Sequence, residues 1–239
     1  MGRALDVELK VIPSGVANPF VKRVHYSGKV VNNSTLHFGA FLDGRLHGVM
    51  SFGSPTDKRK VLGLVEGTPW NGMLELNRMA FDDFLPRNSE SRAIGMAMRL
   101  IKKNAPHVKW VLSFADGCQC GDGTIYRASN FVLTGIARND TLRIDPRGGV
   151  IHSITAYHQG RQREFSHYEK VKGFQLRYIY FIDKKWRKRL TVPEIPFSEI
   201  DRIGAGMYKG QRVSRSERHV DNYAEEMHRL RAAIPREAQ

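Results

Sequence analysis

Residues 73–104 read M-L-E-L-N-R-M-A-F-D-D-F-L-P-R-N-S-E-S-R-A-I-G-M-A-M-R-L-I-K-K-N, and within them the apolar period changes from two to between three and four. The first nine residues alternate as a strand, with Glu75, Asn77, Met79 and Phe81 expected on one face and Leu74, Leu76, Arg78 and Ala80 on the other. Arg78 is thereby flanked by apolar neighbours, where a guanidinium needs an anion or an ion-pair partner. The polar run after Pro86 opens a helix that Ser89 or Ser91 can cap, with Ile94, Met98 and Ile101 as its buried stripe. It ends near Asn104, just before Pro106. V-K-W-V-L-S-F-A-D then reads as a core strand tipped by Asp116, I-Y-R-A-S as a short helix holding Tyr126, and F-V-L-T-G as a closing strand. Strands and helices mixed in this order place the chain in the α+β class.

Upstream, L-D-V-E-L-K-V-I alternates as a first strand and P-S-G turns out of it. Asn18-Pro19 is expected to open a short helix that stops at Ser27-Gly28. It carries His25 and Tyr26, and two adjacent residues cannot both face a core, so one of them points into a cleft or solvent. T-L-H-F-G-A-F-L-D-G-R-L-H-G-V-M is a hairpin turning at Asp43-Gly44. Its histidines, His37 and His47, read as structural, and V-L-G-L-V-E-G-T-P-W as a short strand or loop anchored by Trp70.

The 239 residues, 41% of them hydrophobic, suffice for one core with elaborations. No apolar run approaches a membrane span, and M-G-R-A-L-D lacks a signal peptide's apolar region, so a cytoplasmic protein with no membrane partner is expected. Cys118 and Cys120, in C-Q-C, are too close for a disulfide and too few for zinc.

A net charge of +14 with a pI near 10.0 points to a polyanionic partner. The charge is concentrated: residues 161–189 hold ten basic and three acidic residues interleaved with aromatics. Lys184, Lys185, Arg187, Lys188 and Arg189, in K-K-W-R-K-R, are the candidate phosphate contacts to a nucleic acid. Three regions are expected: a core over 1–136, a basic extension over 137–210 that packs on it, and a charged helical tail over 211–239 that docks on the body or pairs two copies as a homodimer.

The order strand, polar loop, helix, strand, helix, strand resembles the acyl-CoA-binding half of a GNAT-type acyltransferase, with a mixed central sheet flanked by helices. A strand opening into a helix N-terminus suits a pyrophosphate. That likeness implies an acetyl-CoA-type donor held by Met79, Arg87, Asn88, Ser89, Ser91 and Arg92. Glu90 and Arg92 stand where the GNAT loop has glycines, which limits backbone approach to a phosphate.

A longer set of motifs is more specific. V-I-P-S-G-V-A-N-P-F-V-K-R-V-H-Y-S-G, F-L-D-G-R-L-H-G-V-M, E-L-N-R-M-A-F-D-D, L-P-R-N-S-E-S, S-F-A-D and I-Y-R-A-S closely resemble the Mom proteins of Mu-like bacteriophages, over at least residues 11–136. The resemblance implies an enzyme that converts adenine in phage DNA to a carbamoylmethyl derivative on its exocyclic amine, blocking host restriction. It implies iron as well as an acetyl-CoA-type ligand. It also marks His25, Tyr26, Arg78, Asp116 and Tyr126 as catalytic; of these, His25, Tyr26 and Asp116 offer one nitrogen and hard oxygen donors and are the candidate iron ligands. Simple attack on an acetyl thioester would give an amide, not a carbamoylmethyl group, and a duplex adenine must be flipped out to react. The competing readings are a conventional GNAT N-acetyltransferase and a non-enzymatic DNA-binding protein on a GNAT scaffold.

Overall fold

A computed structural model describes residues 3–118, 121–171, 173–203, 207–208 and 211–212. The tail expected over 211–239 lies, beyond Arg212, outside the described residues. A 3-10 turn (Arg3–Asp6) leads into β1 (Glu8–Val11), α1 (Ser14–Val24), β2 (Ser34–Leu42), β3 (Arg45–Gly53), α2 (Lys58–Leu62), β4 (Met73–Phe81), α3 (Ser89–Asn104), β5 (Trp110–Asp116), α4 (Thr124–Ala128) and β6 (Val132–Arg138). Then come β7 (Leu142–Ile144), β8 (Val150–His152), α5 (Ser153–His158), α6 (Gln162–His167), β9 (Glu169–Lys170), β10 (Phe174–Phe181), a second 3-10 turn (Lys184–Arg189) and α7 (Ser198–Ile203). The main sheet runs β1-β2-β3-β4-β5-β10-β6. It is mixed, antiparallel from β1 to β4 and parallel between β4 and β5, with α3 as the crossover, which is the α+β, GNAT-like order expected. Among the described residues no helix is long and apolar enough to cross a membrane.

The chain divides into two compact units. The first comprises Met1–Phe114, Thr124–Thr134 and Arg177–Glu194. Asp43 and Gly44 both have positive φ, as a two-residue hairpin turn requires, so D-G sets the β2–β3 register. Helix α1 begins at Ser14 after Pro13, five residues before the expected Asn18-Pro19. Pro19 lies inside it and forfeits one bond to the Gly15 carbonyl, but Gly15 is exposed, so that carbonyl is open to solvent. Ala17, Phe20 and Val21 of α1 pack with Val49 and Ala80. A second cluster holds Leu64, Val65, Met73, Trp110, Leu112, Ile179 and Phe181, with Trp186 and Leu190 against it. Trp70, expected as an anchor, is 57% exposed instead.

Strand β4 contains the departure that matters most. Ser51 pairs with Arg78 and Phe52 with Leu76, which leaves Asn77 as an extra residue, a β-bulge. Cross-strand partners share a face, so Glu75 (opposite Gly53), Arg78 (opposite Ser51) and Ala80 (opposite Val49) lie together, while Met79 lies opposite Met50 on the other face. The alternation expected from the sequence, with Glu75 and Arg78 on opposite faces, holds only up to the bulge.

The second unit comprises Ala115–Gly123, Gly135–Leu176 and Ile195–Gln239. In it β7 pairs with β8 and β9. Buried Asn139 ties the segment together: its amide donates to the carbonyls of Leu142 (2.9 Å) and Val171 (2.7 Å), and its side-chain oxygen accepts from the Leu142 N–H (2.9 Å).

A Cβ at Gly53, opposite Glu75, would collide with the Asn33 carbonyl, and backbone there cannot step aside cheaply. Gly53→Ala is expected to destabilise the protein by about 3 kcal/mol, the upper range for overpacking, as read from chemical denaturation. An unchanged midpoint would refute this close approach.

Candidate active site

Helix α1 fixes one side of the site. His25 caps its C-terminus, with its N–H donating to Val21 O (2.9 Å), and Gly28, at φ +61°, turns the chain back. The His25 ring is half-buried. Its Nδ1 lies 2.8 Å from Ser27 Oγ and accepts the Ser27 backbone N–H at 3.2 Å. An accepting Nδ1 puts the proton of the neutral ring on Nε2. Burial first, then the Arg78 charge, lowers its pKa from 6.5 to about 4, so at neutral pH His25 is an uncharged Nε2–H donor. Tyr26, 56% exposed, packs against the His25 ring with centroids 4.3 Å apart.

Arg78 faces them from β4. Its Nε donates to Lys29 O (2.8 Å) and its Nη1 to Asn77 O (2.6 Å), the second acceptor being the bulge residue itself. These partners are neutral carbonyls, and among the described residues Arg78 forms no salt bridge. Burial lowers its pKa, against the opposing pull of Tyr26 and Glu75, but a guanidinium stays charged at any physiological pH. The geometry fixes the side chain while leaving its charge for an incoming anionic or carbonyl group.

Glu75 shares this face. Burial raises its pKa from 4.5 to about 7, with Arg78 holding the rise back. Its carboxyl therefore exchanges its proton at neutral pH, as a general acid or base must. Sequence reasoning missed it, because strict alternation puts Glu75 on the face opposite Arg78. It also missed Ser27, for which H-Y-S-G was the available signal.

The other expected residues are placed differently. Tyr126, 7% exposed, sits in the first unit in an aromatic cluster, 5.1 Å between centroids from both Phe131 and Tyr178. Asp116 belongs to the second unit, where its Oδ1 accepts the Cys118 N–H at 3.0 Å and its carbonyl accepts from Gly121. The structure thus brings His25, Tyr26 and Arg78 together, with Glu75 added.

At the start of α3, neither serine caps the helix. Asn88 is the N-cap residue, at φ +70° and without a side-chain cap. Ser89 Oγ turns back to Pro86 O (2.6 Å) and Ser91 Oγ to Asn88 O (3.1 Å). Arg92 reaches Leu5 O, and Arg87 is exposed. The N–H groups of Glu90 and Ser91 lie in the first turn, which has no intrahelical acceptor for them.

All five basic residues of K-K-W-R-K-R are exposed on the second 3-10 turn. Arg187 is engaged by Glu194 (Nε to Oε1 2.6 Å), and Arg189 lies 4.6 Å over the Trp186 ring.

His25 and Glu75 act on stability in opposite directions. His25 has a lowered folded pKa, so its contribution is present above 6.5 and is lost as pH falls through about 4. Glu75 has a raised one, so its contribution is present below 4.5 and is lost as pH rises through about 7. Relative to wild type, Glu75→Gln should gain stability between pH 5 and 8, on the order of 2 kcal/mol, and His25→Gln should gain it between pH 6 and 4. Thermal midpoints across pH test both, and parallel profiles for all three proteins would contradict these environments.

The profile of the Mom protein family matches residues 6–199, which includes the basic turn. A methylcarbamoylase Mom from Escherichia phage Mu is 39% identical over 195 residues, covering 78% of this chain and 80% of that protein. Among solved structures, a spermidine/spermine N-acetyltransferase from Vibrio cholerae has a TM-score of 0.48 at 9% identity, covering 78% of this chain and 99% of its own. A GNAT family acetyltransferase from Elizabethkingia anophelis with acetyl-CoA bound has a TM-score of 0.45 at 11% identity, covering 74% and 98%. With most of its length matched by the profile and more than a third of its aligned residues shared with the phage Mu protein, the chain belongs to the Mom protein family.

Proposed function

We propose that this chain is a DNA-modifying transferase that installs a carbamoylmethyl group on the exocyclic amine of adenine in double-stranded DNA and so protects phage DNA from restriction. The 39% identity with a phage Mu methylcarbamoylase across four-fifths of that protein carries the reading. The cleft chemistry supports it. Glu75, poised near pH 7, is the group on this face able to accept a proton from the adenine amine. Arg78, held by two carbonyls, and the Nε2–H of His25 both present hydrogen-bond donors to a carbonyl oxygen on the group being transferred. Tyr26, exposed beside them, offers an accessible ring to an extruded base.

An acyl-CoA-type donor is part of the proposal. The β4–β5 ladder ends at Leu76↔Ser113 while β4 continues to Phe81, so its backbone beyond Leu76 has no β5 partner and is open to a ligand. The first-turn N–H groups of Glu90 and Ser91, with Arg87 beside them, offer a pyrophosphate site. Met79 lies on the face away from Arg78, so its part would be to line the donor rather than the reacting centre.

Iron fits the placed residues poorly. The His25 Nδ1 is occupied by Ser27, its Nε2 carries the ring proton, and the Arg78 charge beside it opposes a cation. Among the described residues no three His, Cys, Asp or Glu side chains cluster as ligands. No step is routed through a metal.

Nucleoside mass spectrometry of plasmid DNA from cells making the protein tests the reading. Wild type should yield a mass-shifted deoxyadenosine, and Glu75→Gln and Arg78→Ala should each reduce it on the order of a hundredfold. Unmodified deoxyadenosine with the wild-type protein would overturn the function. Full modification by Glu75→Gln would remove Glu75 from the chemistry.

A further inference from the structure

The basic turn Lys184–Arg189 does not stand alone. Residues 63–66, remote in sequence, are zipped to it: Val65 bridges Leu190, the Glu66 N–H donates to Arg189 O (2.8 Å), the Thr191 N–H donates to Leu64 O (3.0 Å), and Thr191 Oγ1 donates to Gly63 O (2.7 Å). This places α2 and its K-R-K on the same layer as K-K-W-R-K-R, both resting on the cluster of Met73 and Trp110.

The loop after α2 then presents Trp70. Its indole is 57% exposed, so much of the ring surface is accessible to a partner. Three hydrogen bonds brace the loop that carries it. Trp110 Nε1 donates to Thr68 Oγ1 (3.0 Å), the Thr68 hydroxyl donates to Val65 O (2.5 Å), and the Gly72 N–H donates to Pro69 O (2.7 Å). Lys58 lies 4.9 Å over the Trp70 ring, and Arg59 beside it is exposed. An exposed aromatic ring on a braced loop, bordered by cations, is a combination suited to contact an unstacked base and its phosphates. The loop leads directly into β4, whose residues Glu75 and Arg78 lie on the face that this layer partly covers.

We propose that α2 and Trp70 form a second nucleic-acid contact element that acts with the Lys184–Arg189 turn, Arg59 holding a backbone phosphate and Trp70 packing against the base step opened when the target adenine is extruded. The proposal rests on the DNA-modification reading and extends it to residues outside K-K-W-R-K-R. A lost phosphate contact lowers the salt dependence of binding, whereas a lost stacking contact lowers affinity without changing that dependence. The two residues therefore leave different signatures.

Binding of the full chain to a fluorescent 30-base-pair duplex is measured by anisotropy over a salt series, for wild type, Arg59→Ala, Trp70→Ala and the double variant Lys184→Ala/Lys185→Ala. Arg59→Ala should reduce the slope of log affinity against log salt by about one. Trp70→Ala should keep the slope and weaken binding by about tenfold. A duplex with the target adenine mispaired should bind wild type more tightly and should restore part of the Trp70→Ala loss, because less stacking remains to be opened. If Arg59→Ala and Trp70→Ala both bind like wild type while the lysine pair loses affinity, the second contact element is wrong and the DNA reading stands. Absence of duplex binding and of modified deoxyadenosine with wild type would overturn both. Unchanged thermal midpoints for these exposed positions show that any loss is not unfolding.

Discussion

The bulge at Asn77 sets the chemistry of the first unit. A strand that kept strict alternation from Met73 to Phe81 would send the Glu75 and Arg78 side chains to opposite faces of the sheet. One inserted residue reverses the parity and brings a carboxyl and a guanidinium onto the face that also receives the end of α1. The bulge does a second job, because the Asn77 carbonyl it displaces from the ladder accepts a hydrogen bond from Arg78 Nη1. The irregularity thus both aims the arginine and holds it.

Around that bulge, burial and charge separate the protonation states of neighbouring groups. Desolvation disfavours charge on His25 and Glu75 alike, pushing the first down and the second up. Arg78 adds to the shift of His25 and resists that of Glu75. At neutral pH the site therefore holds one fixed positive charge, one neutral donor and one carboxyl that exchanges its proton, three different capacities from three residues in one environment. Were His25 alone in water, it would titrate near 6.5 and lose its single defined role.

Much of this architecture is legible in the sequence. The period change at Pro86 gives β4 and α3, Asp43-Gly44 gives the hairpin, and the H-Y-S-G and L-N-R-M motifs hold His25, Tyr26 and Arg78, which lie together in the structure. What is not legible has a common physical cause: it depends on contacts between segments distant in the chain. The bulge arises from pairing with β3, and nothing in L-E-L-N-R-M announces it. The exposure of Trp70 depends on Trp110 holding Thr68, some forty residues away. Pro19 reads as a helix opener, yet α1 starts at Ser14, because the hydrogen bond Pro19 forfeits is tolerable where Gly15 is exposed.

The two basic segments raise an electrostatic question that the net charge alone does not settle. A charge of +14 attracts any polyanion, so affinity for DNA requires no particular arrangement. Arrangement matters for what happens next. Several of the local cations are already engaged: Lys60 with Asp57, Arg187 with Glu194, and Arg189 over Trp186. An engaged cation neutralises a phosphate less readily, since it must first give up its partner. Arg59, Lys184, Lys185 and Lys188 form none of the ion pairs found among the described residues. The charge available to phosphate is consequently spread over two segments zipped side by side, with the exposed indole held beside one of them. A duplex lying across both segments would meet the indole together with the cations, so the same surface that attracts the polyanion also offers an apolar partner to a base leaving its stack.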